Sequence, residues 1–139
     1  MSKRVAVFFY GSFMRPEVMA KAGFEPGSVE VAQLNGYDIC FDPHANVFAS
    51  PMHSVYGIVV EISHAELDRM YGASGVGVFL PEAVLVVMPD GRWASVMCYM
   101  PPERRNNPID QPYLARLIEA AKSRGLPTHY IARLQSYAS

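Results

Sequence analysis

Three features of the sequence predict an α+β fold. Two apolar runs, Val5–Tyr10 and Ser54–Ile62, carry β-branched and aromatic residues on successive positions, as strands covered on both faces do. Two further apolar segments, 78–88 and 92–100, meet at Pro89-Asp90-Gly91, a turn between antiparallel partners. Near the C-terminus, Leu114, Leu117, Ile118 and Ala121 recur at helical spacing.

The chain has 139 residues, enough for one domain over 1–139 with a core that needs neither a metal nor a disulfide. Half of its residues are hydrophobic and 18% are charged, which argues against disorder. A formal net charge of -1 carries no nucleic-acid footprint. After Met1-Ser2-Lys3-Arg4 only about six apolar residues follow, too few for a signal-peptide core, and no run approaches the roughly 20 residues of a membrane span. A soluble, cytoplasmic protein is the expectation. Cys40 and Cys98 lack C-x-x-C spacing and read as buried thiols. His44, His53, His64 and His129 show no ligand spacing, so no metal site is expected.

In chain order, the first strand closes at Tyr10-Gly11-Ser12, where Gly11 lets the backbone leave the sheet and Ser12 offers a hydroxyl to amides losing their partners. A strand end leading into a helix start presents free N–H groups, which suit a carboxylate or other anion. Pro16 opens a short helix ending near Gly23. Val29 and Val31 begin a half-buried strand, and Asn35-Gly36 offers a tight turn into 37–41, giving a hairpin. Residues 42–52, with Pro43, Asn46, Ser50 and Pro51, read as a loop able to lie over a pocket. Gly57, inside the second apolar run, marks a bulge or a close backbone approach. Ser63-His64-Ala65-Glu66 has capping-box spacing and starts a helix that ends near Tyr71-Gly72. The glycines at 72, 75 and 77 lack a preceding strand and G-x-G-x-x-G spacing, so they read as a connector. Pro81 puts the strand over 78–88 at an edge or a bulge. A proline-rich connector, 101–108, leads to Asp110, which caps the helix carrying Tyr113, Leu114, Leu117, Ile118 and Ala121. A last short helix turns Tyr130, Ile131, Leu134 and Tyr137 inward.

Few side chains carry chemistry by their pattern alone. Ser12 lacks a G-x-S-x-G elbow and reads as a hydrogen-bonding or capping residue rather than a nucleophile. Tyr10 either lines a pocket or completes the core. Phe13 and Met14 read as packing residues. Glu82 interrupts an apolar strand: facing inward it would gain a raised pKa suited to proton transfer, and facing outward it would be a solvated edge charge. Asp68 and Arg69 most simply serve the solvent face of their helix.

Phe9-Tyr10-Gly11-Ser12-Phe13-Met14 resembles the Y-G-S-x-[LM] signature of the γ-glutamylcyclotransferase-like (AIG2-like) superfamily, with Phe13 where relatives often carry asparagine. Asn35-Gly36-Tyr37 with Phe41, Val55-Tyr56-Gly57-Ile58-Val59, Leu67-Asp68-Arg69-Met70-Tyr71-Gly72 and Gly125-Leu126-Pro127 with Tyr130 and Leu134 resemble further family segments in the same order. The resemblance implies a small mixed β-barrel flanked by helices, with the Tyr-Gly-Ser loop holding a γ-glutamyl-like small molecule. It also implies attack of the substrate's α-amine on its own γ-carbonyl, releasing 5-oxoproline and an amine or amino acid. No cofactor is required, because the nucleophile is intramolecular.

With the resemblance, the binding site is expected at Tyr10, Gly11 and Ser12, with Phe13 and Met14 completing the loop and Tyr71, Phe79 and Tyr99 as pocket walls. The family's catalytic glutamate falls on Tyr71, and a phenol with a pKa near 10 is a poor general base at neutral pH. Two expectations follow. Either Glu82 has taken over proton transfer with Tyr71 orienting it, or the pocket persists without turnover in a small-molecule-binding protein of the same fold.

Overall fold

A computed structural model describes residues 4–42, 44–74, 80–100 and 107–139. It is an α+β structure: strand β1 (Arg4–Phe9), a 3-10 turn (Ser12–Met14), α1 (Pro16–Lys21), β2 (Glu30–Phe41), β3 (Ala45–Ser63), α2 (His64–Ser74), β4 (Leu80–Val87), β5 (Trp93–Met100), α3 (Gln111–Arg124) and α4 (Thr128–Gln135). The strands run in the order β1-β3-β2-β4-β5, and β5 returns to β1, so the sheet closes on itself. All registered pairings are antiparallel except the one that closes the circle, β1 to β5, with Val7↔Met97 and Phe8↔Cys98. Among the described residues the seam between β2 and β4 is held by one registered pair, Gln33↔Val87.

β1 is covered on both faces as its composition predicts: Val7, Phe8 and Phe9 are 0%, 1% and 3% exposed. Successive strand residues point to opposite faces, so both the barrel interior and the helices around it must be apolar to bury such a run. Phe8 shares one core with Ile58, Ile62, Leu34 and Cys98 of the strands and with Leu114, Leu117 and Leu134 of the helices. Gly57 of β3 serves a close approach, since a methyl there would run into the Phe9 carbonyl oxygen and the Phe8 ring.

The sheet corrects two expectations. No hairpin forms at Asn35-Gly36; β2 runs straight through, and Gly36 takes φ +85° at a register shift between Asn35 and Tyr37. A glycine signal fits a bulge as well as a turn, because both need the left-handed region. Ser50 to His53 loop outward opposite Gly36, since Asn35 pairs with Ser54 and Tyr37 with Ala49. The presumed 42–52 loop is therefore mostly β3, with Pro51 placed in the excursion where it takes no registered pair. The reversal lies instead at Asp42–His44, closed by the Asp42 amide donating to the His44 carbonyl at 2.8 Å.

The helix signals hold more closely. Ser63 and Glu66 form the reciprocal capping box, the Glu66 amide donating to Ser63 Oγ at 3.2 Å and the Ser63 amide to Glu66 Oε1 at 3.1 Å. α2 continues to Ser74, past the expected stop at Tyr71-Gly72. Pro81 is the second residue of β4, where the flank toward β2 has no registered pair among the described residues. Asp110 caps α3 by accepting the Tyr113 amide at 3.0 Å. No described helix is long and apolar enough to cross a membrane.

Candidate functional site

The loop that follows β1 is built by crowding. Gly11 has φ -127° and ψ -134°, so no left-handed φ reserves the position for glycine. Space does: a Cβ on Gly11 would lie 3.1 Å from the Tyr113 hydroxyl and 3.4 Å from the Ala45 Cβ. The chain then tightens into the 3-10 turn, with the Met14 amide on the Gly11 carbonyl at 2.9 Å and the Arg15 amide on the Ser12 carbonyl at 3.0 Å.

Tyr113 is the residue that pattern reading missed. Its ring belongs to the apolar face of α3 and is 5% exposed, while its hydroxyl leaves that face and reaches the Tyr-Gly-Ser loop. The Ala45 amide donates to Tyr113 Oη at 3.2 Å. Burial raises the phenol above its ordinary pKa, opposed by hydrogen bonds from the Ser12 hydroxyl and from the Ala45 and Ser12 amides. Donors from the loop after β1 and from the start of β3 thus converge on one oxygen that α3 delivers beside Gly11. Helical periodicity could not reveal this, because a tyrosine at an inward position scores as core whether or not its hydroxyl continues beyond it.

Tyr10 is 5% exposed and donates its hydroxyl to the Tyr99 carbonyl at 2.9 Å, tying the end of β1 across β5. Tyr99 is partly buried, and burial raises its phenol, with the Asp68 charge adding to the effect. Phe13 and Met14 are 7% and 0% exposed, and Phe13 packs edge-on to Phe9 at 5.5 Å, so their side chains belong to the core. The Met14 carbonyl accepts from Arg124 Nε at 2.9 Å, which fixes the turn to the end of α3.

Glu82 takes the exposed one of its two expected positions, on a strand face that becomes buried further along. It shares the strand face of buried Val84 and Val86 and pairs with Cys98, whose thiol burial pushes up to about 12. Phe8, Cys98 and Glu82 therefore form one rung across β1, β5 and β4. Yet Glu82 is exposed, because it lies near the strand's beginning, where the interior row opens to solvent. Tyr71 lies on α2, and its side chain falls outside the described residues, as Phe79 does entirely. No group of three or more His, Cys, Asp or Glu among the described residues is arranged to hold a metal ion.

The AIG2-like family profile matches residues 54–134. The chain belongs to the AIG2-like family. The matched span holds β3 from Ser54 through most of α4, and the Tyr-Gly-Ser loop precedes it. No curated protein matches this AIG2-like chain. Among solved structures it is similar to one named γ-glutamyl cyclotransferase, at 22% identity and TM-score 0.73, over 96% of this chain and 88% of that one. An uncharacterized protein from Homo sapiens matches at 23% identity and TM-score 0.80, over 96% and 87%. A yeast γ-glutamyl cyclotransferase described as specific to glutathione matches at 12% identity and TM-score 0.66, over 99% and 96%. At these identities the likeness establishes a γ-glutamylcyclotransferase-like fold for the AIG2-like chain.

Proposed function

We propose that residues 1–139 act as one unit that holds a γ-glutamyl-like small molecule at the Tyr-Gly-Ser loop and cyclises it to 5-oxoproline, releasing an amine or amino acid. The observation that carries this reading is the convergence of Gly11, Ser12, the Ala45 amide and the Tyr113 hydroxyl on one point at the loop. Names of the structural neighbours supply the substrate class: one is a γ-glutamyl cyclotransferase, another is described as specific to glutathione. Tyr10, Gly11 and Ser12 form the binding loop, and Tyr99 and Phe79 are proposed as walls. Phe13 and Met14 contribute through their backbone turn.

In the reaction, the substrate's α-amine bonds to its γ-carbonyl carbon while the bond from that carbon to the leaving nitrogen breaks. The proton lost by the attacking amine ends on the leaving nitrogen. Binding the substrate with amine and carbonyl already close removes most of the entropic barrier, so no cofactor is needed. A carboxylate must relay the proton, and with Tyr71 at the position where the family pattern has glutamate, Glu82 takes that role. Its place on the Phe8–Cys98 rung puts its Cα about 10 Å from β1, two strand spacings away on the same face. A carboxylate at the open end of the row can meet a ligand there without first being desolvated.

The exposure of Glu82 also favours a second reading, a binding protein of this fold without turnover. Assay of 5-oxoproline release from γ-glutamyl amino acids and γ-glutamyl amines, with wild type and Glu82→Gln in parallel, separates the two. Turnover that falls at least about a hundredfold in the variant supports proton relay by Glu82, as expected for loss of a general acid–base group. Absence of turnover in wild type across both substrate classes leaves the binding protein.

A further inference from the structure

β4 and β5 are largely apolar on both of their faces, as β1 is, yet only one face is covered. Val84, Val86, Val96 and Cys98 turn inward and are buried. The opposite face carries the rungs Ala83↔Met97, Leu85↔Ser95 and Val87↔Trp93, and there Leu85 and Trp93 are 58% and 60% exposed. A sheet face left to water normally turns polar. β2 obeys that rule, alternating buried Ala32 and Leu34 with Gln33 and Asn35. None of the outward positions of β4 and β5 is charged. Charge stands only beyond them, at the tip of the hairpin, where Asp90 and Arg92 lie 3.5 Å apart. The bare face also has a border: Val7 of β1 pairs with Met97 and shares its face but is 0% exposed, so the layer over β1 ends at β5.

We propose that this face is the contact between two copies of the chain, packed sheet against sheet about a two-fold axis that runs along the β4–β5 hairpin. That axis lays β4 over β5 of the second copy, so each outward residue faces the one it pairs with in its own sheet. Every rung then opposes a large side chain to a smaller one: Leu85 to Ser95, Met97 to Ala83 and Trp93 to Val87. Facing layers interdigitate when sizes alternate in this way. At the tip, Asp90 of one copy comes over Arg92 of the other, so the charges are complementary as well.

The border of the face selects the axis. A two-fold across the strands would set the layer over β1 of one copy on that of the other and hold the bare faces apart. With the axis along the hairpin, each layer passes beside the β4 edge of the second copy, where β4 has one registered pair with β2 among the described residues. Strands of eight residues at about 3.3 Å each make the face about 26 Å long, and two of them with their side chains make it about 15 Å wide. Two such faces bury roughly 1,000 Å² in all, the lower limit for a specific interface, so the expected dimer is weak, with Kd on the order of 10 μM. A formal net charge of -1 on each copy opposes it little.

Trp93 is the one tryptophan of the chain, so its emission reports directly on this face. The test is sedimentation of the full chain from about 0.5 to about 200 μM, with tryptophan emission read at each concentration, for wild type, Leu85→Lys and Ser95→Arg. Wild type is expected to pass from monomer to dimer over that range while its emission shifts to the blue. Each substitution should weaken association at least about a hundredfold, since it sets a charge against an apolar layer. Both positions are exposed in the single copy, and far-UV circular dichroism checks that the variants fold. A wild type that stays monomeric throughout overturns the proposal and leaves the face to another partner. A wild-type dimer that forms without moving the Trp93 emission overturns it too, with no need of a variant, as does a dimer that both folded variants form as tightly as wild type.

Discussion

Gly11 and Tyr113 compete for the same small volume, and under the proposed function the outcome of that competition sets what the loop binds. In Gly11→Ala the new methyl would stand 3.1 Å from a phenol oxygen whose ring is stacked by His44 and edged by Phe41. A flexible neighbour would yield; this one is held by packing and by the Ala45 amide. The expected cost is about 1–3 kcal/mol of stability, the range for a methyl forced into a packed site, read from the urea midpoint. Ligand affinity at the loop should fall at least about tenfold, since a displacement of that size misaligns every donor around the oxygen. Tyr113→Phe separates the two effects, because it leaves the space intact and deprives the buried Ala45 amide of its acceptor, for about 1–2 kcal/mol. An Ala variant that binds γ-glutamyl amino acids as wild type does would show that the hydroxyl is not part of the site.

Helix ends show what an element needs beyond its periodicity. The capping box at Ser63 and Glu66 and the cap at Asp110 were legible because each depends on one side chain at a fixed offset from a backbone amide. The strands were legible as apolar runs, but their joins were not. Asn35-Gly36 announces only a left-handed residue, and the choice between hairpin and bulge depends on what β3 places opposite it. The candidate site was half legible for the same reason: Tyr10, Gly11 and Ser12 are contiguous, whereas Tyr113 reaches the loop from α3 and Ala45 from the start of β3, which no local pattern records.

The caps also give the helices a pH dependence. Backbone hydrogen bonds from Ser63 and Tyr113, first among their causes, hold the Glu66 and Asp110 carboxyls below their ordinary values. Groups with depressed folded pKa values add stability above their unfolded values, near pH 4, and lose it as pH falls through the folded ones. Urea midpoints should therefore drop below about pH 4 in wild type, and less steeply in a Glu66→Gln, Asp110→Asn double variant. An identical acid slope in both proteins would contradict the assignment of that stability to the caps.

At the scale of the whole molecule, the closed sheet depends on α4 and the C-terminal tail as well as on its ladders. The β2–β4 seam has one registered pair among the described residues, so β2 is braced from outside. Arg133 Nη2 of α4 meets the buried Asp38 carboxylate of β2 at 2.6 Å, and the Tyr137 hydroxyl donates to the Ile39 carbonyl at 3.1 Å. Gln111 at the start of α3 donates to the Tyr137 carbonyl at 3.3 Å, so the helix that delivers Tyr113 shares the brace. Removing one partner of a buried pair commonly costs about 3–5 kcal/mol, because the other charge is left in a poor solvent. Here the loss should be nearer 2 kcal/mol, since Arg133 is 38% exposed, its Nε is buried without a hydrogen-bond partner, and Asp38 keeps the Ile39 amide at 2.8 Å. Arg133→Met leaves the carboxylate with the Ile39 amide at 2.8 Å and His53 Nε2 at 3.9 Å but without its guanidinium, whereas adding Asp38→Asn removes the charge that suffers. A double-mutant cycle of urea midpoints should therefore show the second substitution recovering at least about 1 kcal/mol of the first. Strictly additive losses would mean that α4 is held by its apolar face, Tyr130, Ile131 and Leu134, and that the ion pair contributes nothing to closing the sheet.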